Sequence, residues 1–521
     1  MLVNAAEKKL SGPGSAPLSD TLLAQAGEKA PVMARSLKIQ GNQPLGDYLA
    51  GLIEPGPKGY QQVTDLAEIV ERYATPLLGQ EAAHQARLQL ERRPVILTAN
   101  HHGVDFFAQS LQGTLLFATA LAGADGAQSV APVLACASVP LDNVTFPRGL
   151  LIYGGEGEIP QRLGVFSNRF RRQMVATVAG FDQTMVDSTL QRARKLGKQQ
   201  GFATRTMDSL EAILEEDYRS ALGAHRRYSD QAVMINSRIW PRLFAQQKPS
   251  AGLAYLEMEK IVSLLLEEDL RDRTSLASII AFDSRVRSPL LTLLDGQRAC
   301  WDMAAINAAG QGSPSPASCG TFLFWGLTAA GRRVPLAPDP EGRTLCGHDH
   351  QGQAFSVALQ PQAIRDALRE ARLLPSLFSC FLTLALARGI VCLGGYYQAD
   401  YLPTMQWKVA KALREGGWPW IAAQVAGVPT DRYLSGMQTV MSRTPAGGLL
   451  PAGAVEMTAG GGLSEAMIAR GQALTLREAH LASLLETVPD VIPEAARRAE
   501  WKIPLALELG RRLRHRVAIL E

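Results

Sequence analysis

The chain has 521 residues, 46% hydrophobic and 20% charged, with a formal net charge of +4. That composition excludes disordered and fibrous classes, and the length calls for more than one domain or one large α/β domain with insertions. No long Lys/Arg run marks a nucleic-acid partner, and every apolar stretch is broken before it reaches the roughly 20 residues of a membrane span.

The first 36 residues, with "LSGPGSAPLSD" at their centre, read as a flexible tail without the basic-then-apolar pattern of a secretory signal. Residues 60–92 carry apolar positions at three- and four-residue spacing and predict helices. "PVILTA" (94–99) reads as a buried strand, 104–122 as a helix and "VAPVLACASVP" (130–140) as a second strand. Strand, helix and strand at this spacing make a βαβ unit with a parallel sheet. From 183 to 278 charged amphipathic stretches predict a long helical, coiled-coil-like insertion. Short strands return after 279: "TFLFWGLT", then "RRVPLA" and "AFSVAL" on either side of a polar hairpin turn, "CGHDHQG". The helix "QPQAIRDALREARLL", an apolar segment and the strand "GIVCLGG" (389–395) follow. The Gly/Pro-rich 443–463 reads as a mobile loop, with helices closing the chain. The expected division is a tail (1–36), a core in two parts (37–182 and 279–440), a helical insertion (183–278) and a loop-plus-helix end (441–521). The six cysteines at 136, 300, 319, 346, 380 and 392 form no CxxC pair and read as free thiols in a reducing compartment, which makes the expected location cytoplasmic.

Three patches carry candidate chemistry. In "TANHHGVDFF", Asn100, His101, His102 and Gly103 stand where the first strand meets its helix. Strand ends and helix N-termini favour anionic ligands there, and Gly103 permits close backbone approach. His101 is the leading general base, with His102 beside it. In "VPLDNVTFPRG", Asp142 and Asn143 follow the second strand, with Arg148 as a carboxylate or phosphate partner. In "CLGGYYQADYLPTMQ", Gly394 and Gly395 precede Tyr396, Tyr397, Gln398, Asp400 and Tyr401, with Asp142 and Asp400 as the acids for an amino group. His101 and Asp105 also match the H-x-x-x-D spacing of an acyltransferase motif. A metal site lacks third and fourth ligands unless His348, Asp349 and His350 fold onto it, and none is expected. P-loop, GxGxxG and GxSxG signatures are missing at usable places, which weakens kinase, dehydrogenase and hydrolase readings.

The order and spacing of "PLGDYLAG", "VILTANHHGVDFFAQSLQGTLLFATAL", "APVLACASVPLDN" and "LLPSLFSCFLTLALARGIVCLGGYYQADYLPTMQWKVAKAL" resemble the cysteine-adding enzymes of bacillithiol biosynthesis. Ala99, Asn100 and His101 occupy that family's first turn. Val139 to Asp142 occupy its acidic segment and keep only the last acid. Gly394, Gly395, Gln398 and Tyr401 match its late patch. The resemblance implies a Rossmann-like, nucleotidyltransferase-like core with a coiled-coil insertion. It also implies a ligase or transferase that joins an amino acid, or a similar small amine or thiol, to a second small molecule, with ATP or another nucleotide as cofactor. A homodimer through the insertion, small-molecule substrates, and no nucleic-acid or membrane partner complete the expectation. The alternatives are a non-catalytic small-molecule-binding or scaffold protein on the same fold, and a CoA-dependent acyltransferase using His101 and Asp105.

Overall fold

A computed structural model describes residues 16–126, 128–154, 160–223, 225–309, 320–349, 351–497 and 500–520. Four short apolar runs form a parallel sheet: β1 (Val95–Leu97), β2 (Val130–Ala135), β3 (Gly252–Glu257) and β4 (Val391–Leu393). Their order across the sheet is β4-β1-β2-β3, with Val95 opposite Val391, Leu97 opposite Val133 and Val133 opposite Tyr255. β1, β2 and β4 are buried at every position, as strands covered on both faces must be. Alternation along the strands sorts side chains into two hydrophobic layers. Val95, Leu97, Val133 and Leu393 belong to one layer, while Ile96, Leu134, Leu256 and Cys392 belong to the other.

Five helices matter for the site: α1 (Ala108–Asp125), α2 (Tyr228–Arg242), α3 (Met258–Asp269), α4 (Gln398–Glu415) and α5 (Leu484–Val491). α1 and α5 pack into the first layer through Leu111, Leu115, Leu485 and Val488. α3 and α4 pack into the second through Ile261, Leu265, Leu402 and Val409. The expected βαβ unit is present as β1, α1 and β2, and the late strand–Gly-Gly–helix junction is present as β4 and α4. The "CGHDHQG" segment turns between the antiparallel strands Thr344–His348 and Ala354–Ala358, as a hairpin.

Four expectations change. The tail is helical from residue 18: Leu18–Lys29 and Pro31–Gln40 bury Leu22, Leu23, Ala26 and Met33. Apolar spacing there outweighs the Gly/Pro composition just upstream. The stretch 183–278 is not wholly helical, because "GLAYLE" supplies β3 of the central sheet and α3 lies in the second layer. The segment 443–463 is ordered: Val440–Arg443 pairs with Leu449–Pro451 as a hairpin, and the helix Ala454–Ala459 follows. The chain closes on a strand, Ala518–Leu520, parallel to Val440–Arg443. Residues 1–15, Cys319 and His350 lie outside the described residues; the other five cysteines are free thiols. Among the described residues, no helix is long and apolar enough to cross a membrane.

Candidate functional site

Chain order runs outward from β1 through β2 to β3, then returns to place β4 on the other flank of β1. The carboxyl ends of β4 and β1 therefore frame the point where strand order reverses, the usual position of a ligand crevice in open α/β sheets. A cleft of about 350 Å³ opens there. Thr98 to His101 line it from the end of β1, Cys136 from the end of β2, and Gly395 to Gln398 from the end of β4. Ser110 of α1, Asp490 of α5 and Arg298 add further polar groups to the lining.

Beyond Leu97 the β1 backbone stays tied to its neighbour. Cys136 N–H donates to Asn100 O (2.9 Å), and His102 N–H donates to Cys136 O (2.8 Å). This bridge sets His101 beside Cys136 at the cleft. The His101 Nδ1 to Asn143 Oδ1 distance is 2.8 Å. Asn143 Oδ1 also accepts the Thr145 N–H (3.3 Å), so the atom facing the imidazole is an acceptor. Nδ1 therefore carries the proton, and Nε2 keeps its lone pair. Burial lowers the His101 pKa, with the Asn143 hydrogen bond and the charge of Asp490 acting in the opposite direction. The neutral imidazole is the form a general base requires.

His102 lies elsewhere. It is fully buried, and its Nε2 contacts Ser229 O (3.1 Å) and Ser229 Oγ (2.9 Å), while Ser229 Oγ donates to Glu257 (2.5 Å). Tyr255 stacks on its ring and donates to His101 O (2.9 Å). His102 is thus a packing and hydrogen-bonding residue of the core, not a member of the cleft.

The first two amides of α1 are already bonded within the protein. Ala108 N–H donates to Tyr153 Oη (2.9 Å), and the Gln109 backbone bonds to Glu486. Asp105 accepts the Ser110 hydroxyl, the Asn100 amide (3.0 Å) and the Phe107 N–H. Internal carboxyls and a phenol satisfy the groups that were expected to hold phosphate. Burial pushes Asp105 up to about 7 and Glu486 up to about 8. His101 and Asp105 form no dyad, since each is bonded to a different partner. Gly103, at φ 140°, makes room for Pro147: a Cβ there would stand 2.8 Å from the Pro147 Cβ.

At the end of β4, Gly394 is required by Gln398. A Cβ at 394 would fall 2.1 Å from the Gln398 side chain, which accepts the Thr98 hydroxyl (3.0 Å) and donates to Cys392 O (3.2 Å). Tyr396 donates its hydroxyl to Asp490, and the Arg298 guanidinium lies 3.7 Å from the centroid of the Tyr397 ring. Tyr401 lines the same cleft. The structure thus gathers Asn100, His101, Gly395, Tyr396, Gln398 and Tyr401 around one space, with Asn143 behind His101. Asp142 and Asp400 are exposed and lie off the cleft wall, so neither is placed to hold an amino group there. Arg148 turns to Asn168 Oδ1 (2.6 Å) and to the Phe146 ring.

Among the cleft residues that sequence reasoning missed are Cys136 as a lining group, Ser110, Arg298 and Asp490. Ser110 and Cys136 lie in quoted stretches but carry no chemical signature of their own there, and Asp490 is 94 residues from the Tyr396 it binds. Cys136 is not an activated nucleophile. Its Sγ donates to Glu259 Oε1 (3.2 Å), and burial with that neighbouring carboxyl pushes the thiol well up. Glu259 is itself fixed by the Ala137 and Ser138 N–H groups (2.7 and 2.8 Å). No known protein-family profile matches the chain, and no curated protein matches it.

Proposed function

We propose that the cleft is the active site of a ligase- or transferase-type enzyme that joins an amino acid, or a related small amine or thiol, to a second small molecule. The observation that carries this reading is the neutral, tautomer-fixed His101. Its Nδ1–H is held by Asn143, its Nε2 is an acceptor, and it stands in a cleft lined by Asp490 with Tyr396 and by Arg298 with Tyr397. In the reaction, Nε2 takes the proton from the incoming amine or thiol as that atom attacks the nucleotide-activated carbon of the second substrate. The phosphoryl or nucleotidyl group on that carbon's oxygen leaves with the electrons of the broken C–O bond. Asp490 replaces Asp142 and Asp400 as the group that draws an ammonium, and Arg298 replaces Arg148 as the partner of a carboxylate. Activation of the second substrate by a nucleotide is part of the proposal. The resemblance to the cysteine-adding family supports the reaction type.

The test is incubation of wild type and His101→Ala with amino acids, ATP and a small-molecule extract, with mass spectrometry for condensation products. A product formed by wild type and lost in His101→Ala supports the reading. Ligand bound by wild type with no turnover points instead to a small-molecule-binding protein, which the protonated Cys136 thiol and the internally satisfied α1 amides favour. No ligand at all overturns both.

A further inference from the structure

A second polar feature lies on the outer side of the loop that holds Asn143. That loop, residues 140–149, feeds an antiparallel ribbon of Gly149–Ile152 and Gln161–Gly164. The Arg148 backbone is fixed on both sides: its N–H donates to Leu141 O (3.2 Å), and its carbonyl accepts the Val165 and Phe166 N–H groups (2.8 and 3.0 Å). The Phe146 ring, set by a backbone φ of 54°, has two guanidiniums against it, Arg148 at 4.9 Å and Arg162 at 5.6 Å from its centroid. Arg171 is tied to the same loop, its carbonyl accepting the Asp142 N–H (3.1 Å).

Like charges so close repel unless an anion lies between them. Among the described residues, no carboxylate forms an ion pair with Arg148, Arg162 or Arg171, and the exposed Arg169 and Arg172 beside them are likewise without one. Arg148 Nε is buried with no hydrogen-bond partner. Burial lowers the Arg148 pKa; the charge of Asp142 opposes this, and the charges of Arg162 and Arg171 act in the same direction as burial. Guanidinium forks pair bidentately with phosphoryl oxygens, and several forks on one small area suit a ligand with several such oxygens. A net charge of +4 on 521 residues, without a basic stripe, does not fit a nucleic-acid track.

We infer that Arg148, Arg162 and Arg171 form a binding site for the phosphate groups of a small polyphosphate-bearing ligand, free or as the tail of a nucleotide. The inference stands apart from the reading of the cleft. The two sites share one loop, since Val144 and Thr145 line the cleft and Asn143 holds His101.

The test is isothermal titration calorimetry at low ionic strength with tripolyphosphate, ATP and a short single-stranded RNA. It uses wild type, Arg162→Glu/Arg171→Glu, the milder Arg162→Gln/Arg171→Gln, and His101→Ala. Tripolyphosphate binding to wild type is expected to weaken about tenfold or more in the charge-reversed variant, less in the glutamine variant, and not at all in His101→Ala. If the charge-reversed variant does not fold, the glutamine variant carries the comparison. ATP binding that is tighter than that of tripolyphosphate, and that weakens in the arginine variants but not in His101→Ala, assigns the site to a nucleotide, and equal affinity assigns it to free polyphosphate. The inference fails if neither ligand binds wild type, if both arginine variants bind as wild type does, or if RNA binds more tightly than either.

Discussion

At the scale of single residues, His101 and the two buried carboxyls give the sharpest expectations. Burial keeps His101 neutral near pH 7, so the acid limb of any activity lies below the ordinary histidine value of about 6.5. His101→Ala is expected to lower turnover by about a hundredfold or more in steady-state assays of whichever condensation is found. Asn143→Ala leaves the base but frees its tautomer, so it should reduce kcat more than it changes KM. Asp105 and Glu486 act on stability instead. Folding raises both pKa values, so it favours the protonated forms. Their contribution is full below about pH 4 and is lost as pH rises through about 7 and about 8. Denaturant midpoints measured from pH 4 to pH 9 should therefore fall across that window in wild type. They should fall less in Asp105→Asn/Glu486→Gln, and an equal fall in both would show that these groups do not carry the effect.

At the scale of elements, what the sequence revealed depended on how local the cause was. β1, β2 and β4 were legible because strands buried on both faces read as unbroken apolar runs, and α1 because its run of Leu, Phe and Ala is too long for a strand. β3 was not, because "GLAYLE" lies between two helical patterns and only pairing with β2 makes it a strand. The hairpin of Val440–Arg443 and Leu449–Pro451 hid behind Gly and Pro, which mark a turn but not what flanks it. In the site, the β1 turn and the Gly-Gly junction were found from sequence, whereas Asp490 and Arg298 arrive through tertiary packing alone. The Gly394–Gln398 contact gives a test at this scale. Gly394→Ala displaces the amide that ties β4 to Thr98 and should cost about 1–3 kcal/mol in chemical denaturation. Gln398→Ala in the same background should make the alanine easier to accommodate, a coupling a double-mutant cycle reads directly.

At the scale of the whole molecule, the first described helix and the last one are fastened together. Glu508, in the helix Lys502–Leu513, accepts the Leu18 N–H (2.9 Å), the Ser19 N–H (3.0 Å) and the Ser19 hydroxyl (2.5 Å). Arg512 adds an ion pair with Asp20 (2.9 Å). Glu508→Ala leaves the buried Ser19 hydroxyl and two helix-start amides without this acceptor and should cost about 1–3 kcal/mol. Hydrogen exchange should speed up in residues 18–29 and in the Lys502–Leu513 helix together, while β1 and β2 keep their protection. Faster exchange in only one of the two segments would mean that the contact does not join them.

The opposed fates of His101 and His102 have a practical consequence. Two imidazoles adjacent in sequence face different surroundings, one a cleft and the other a sealed core. A reagent that acylates accessible imidazole should modify the first and spare the second. In a histidine-labelled NMR spectrum the pair becomes a probe with its own reference: one resonance reports what enters the cleft, and its neighbour reports whether the fold has stayed intact.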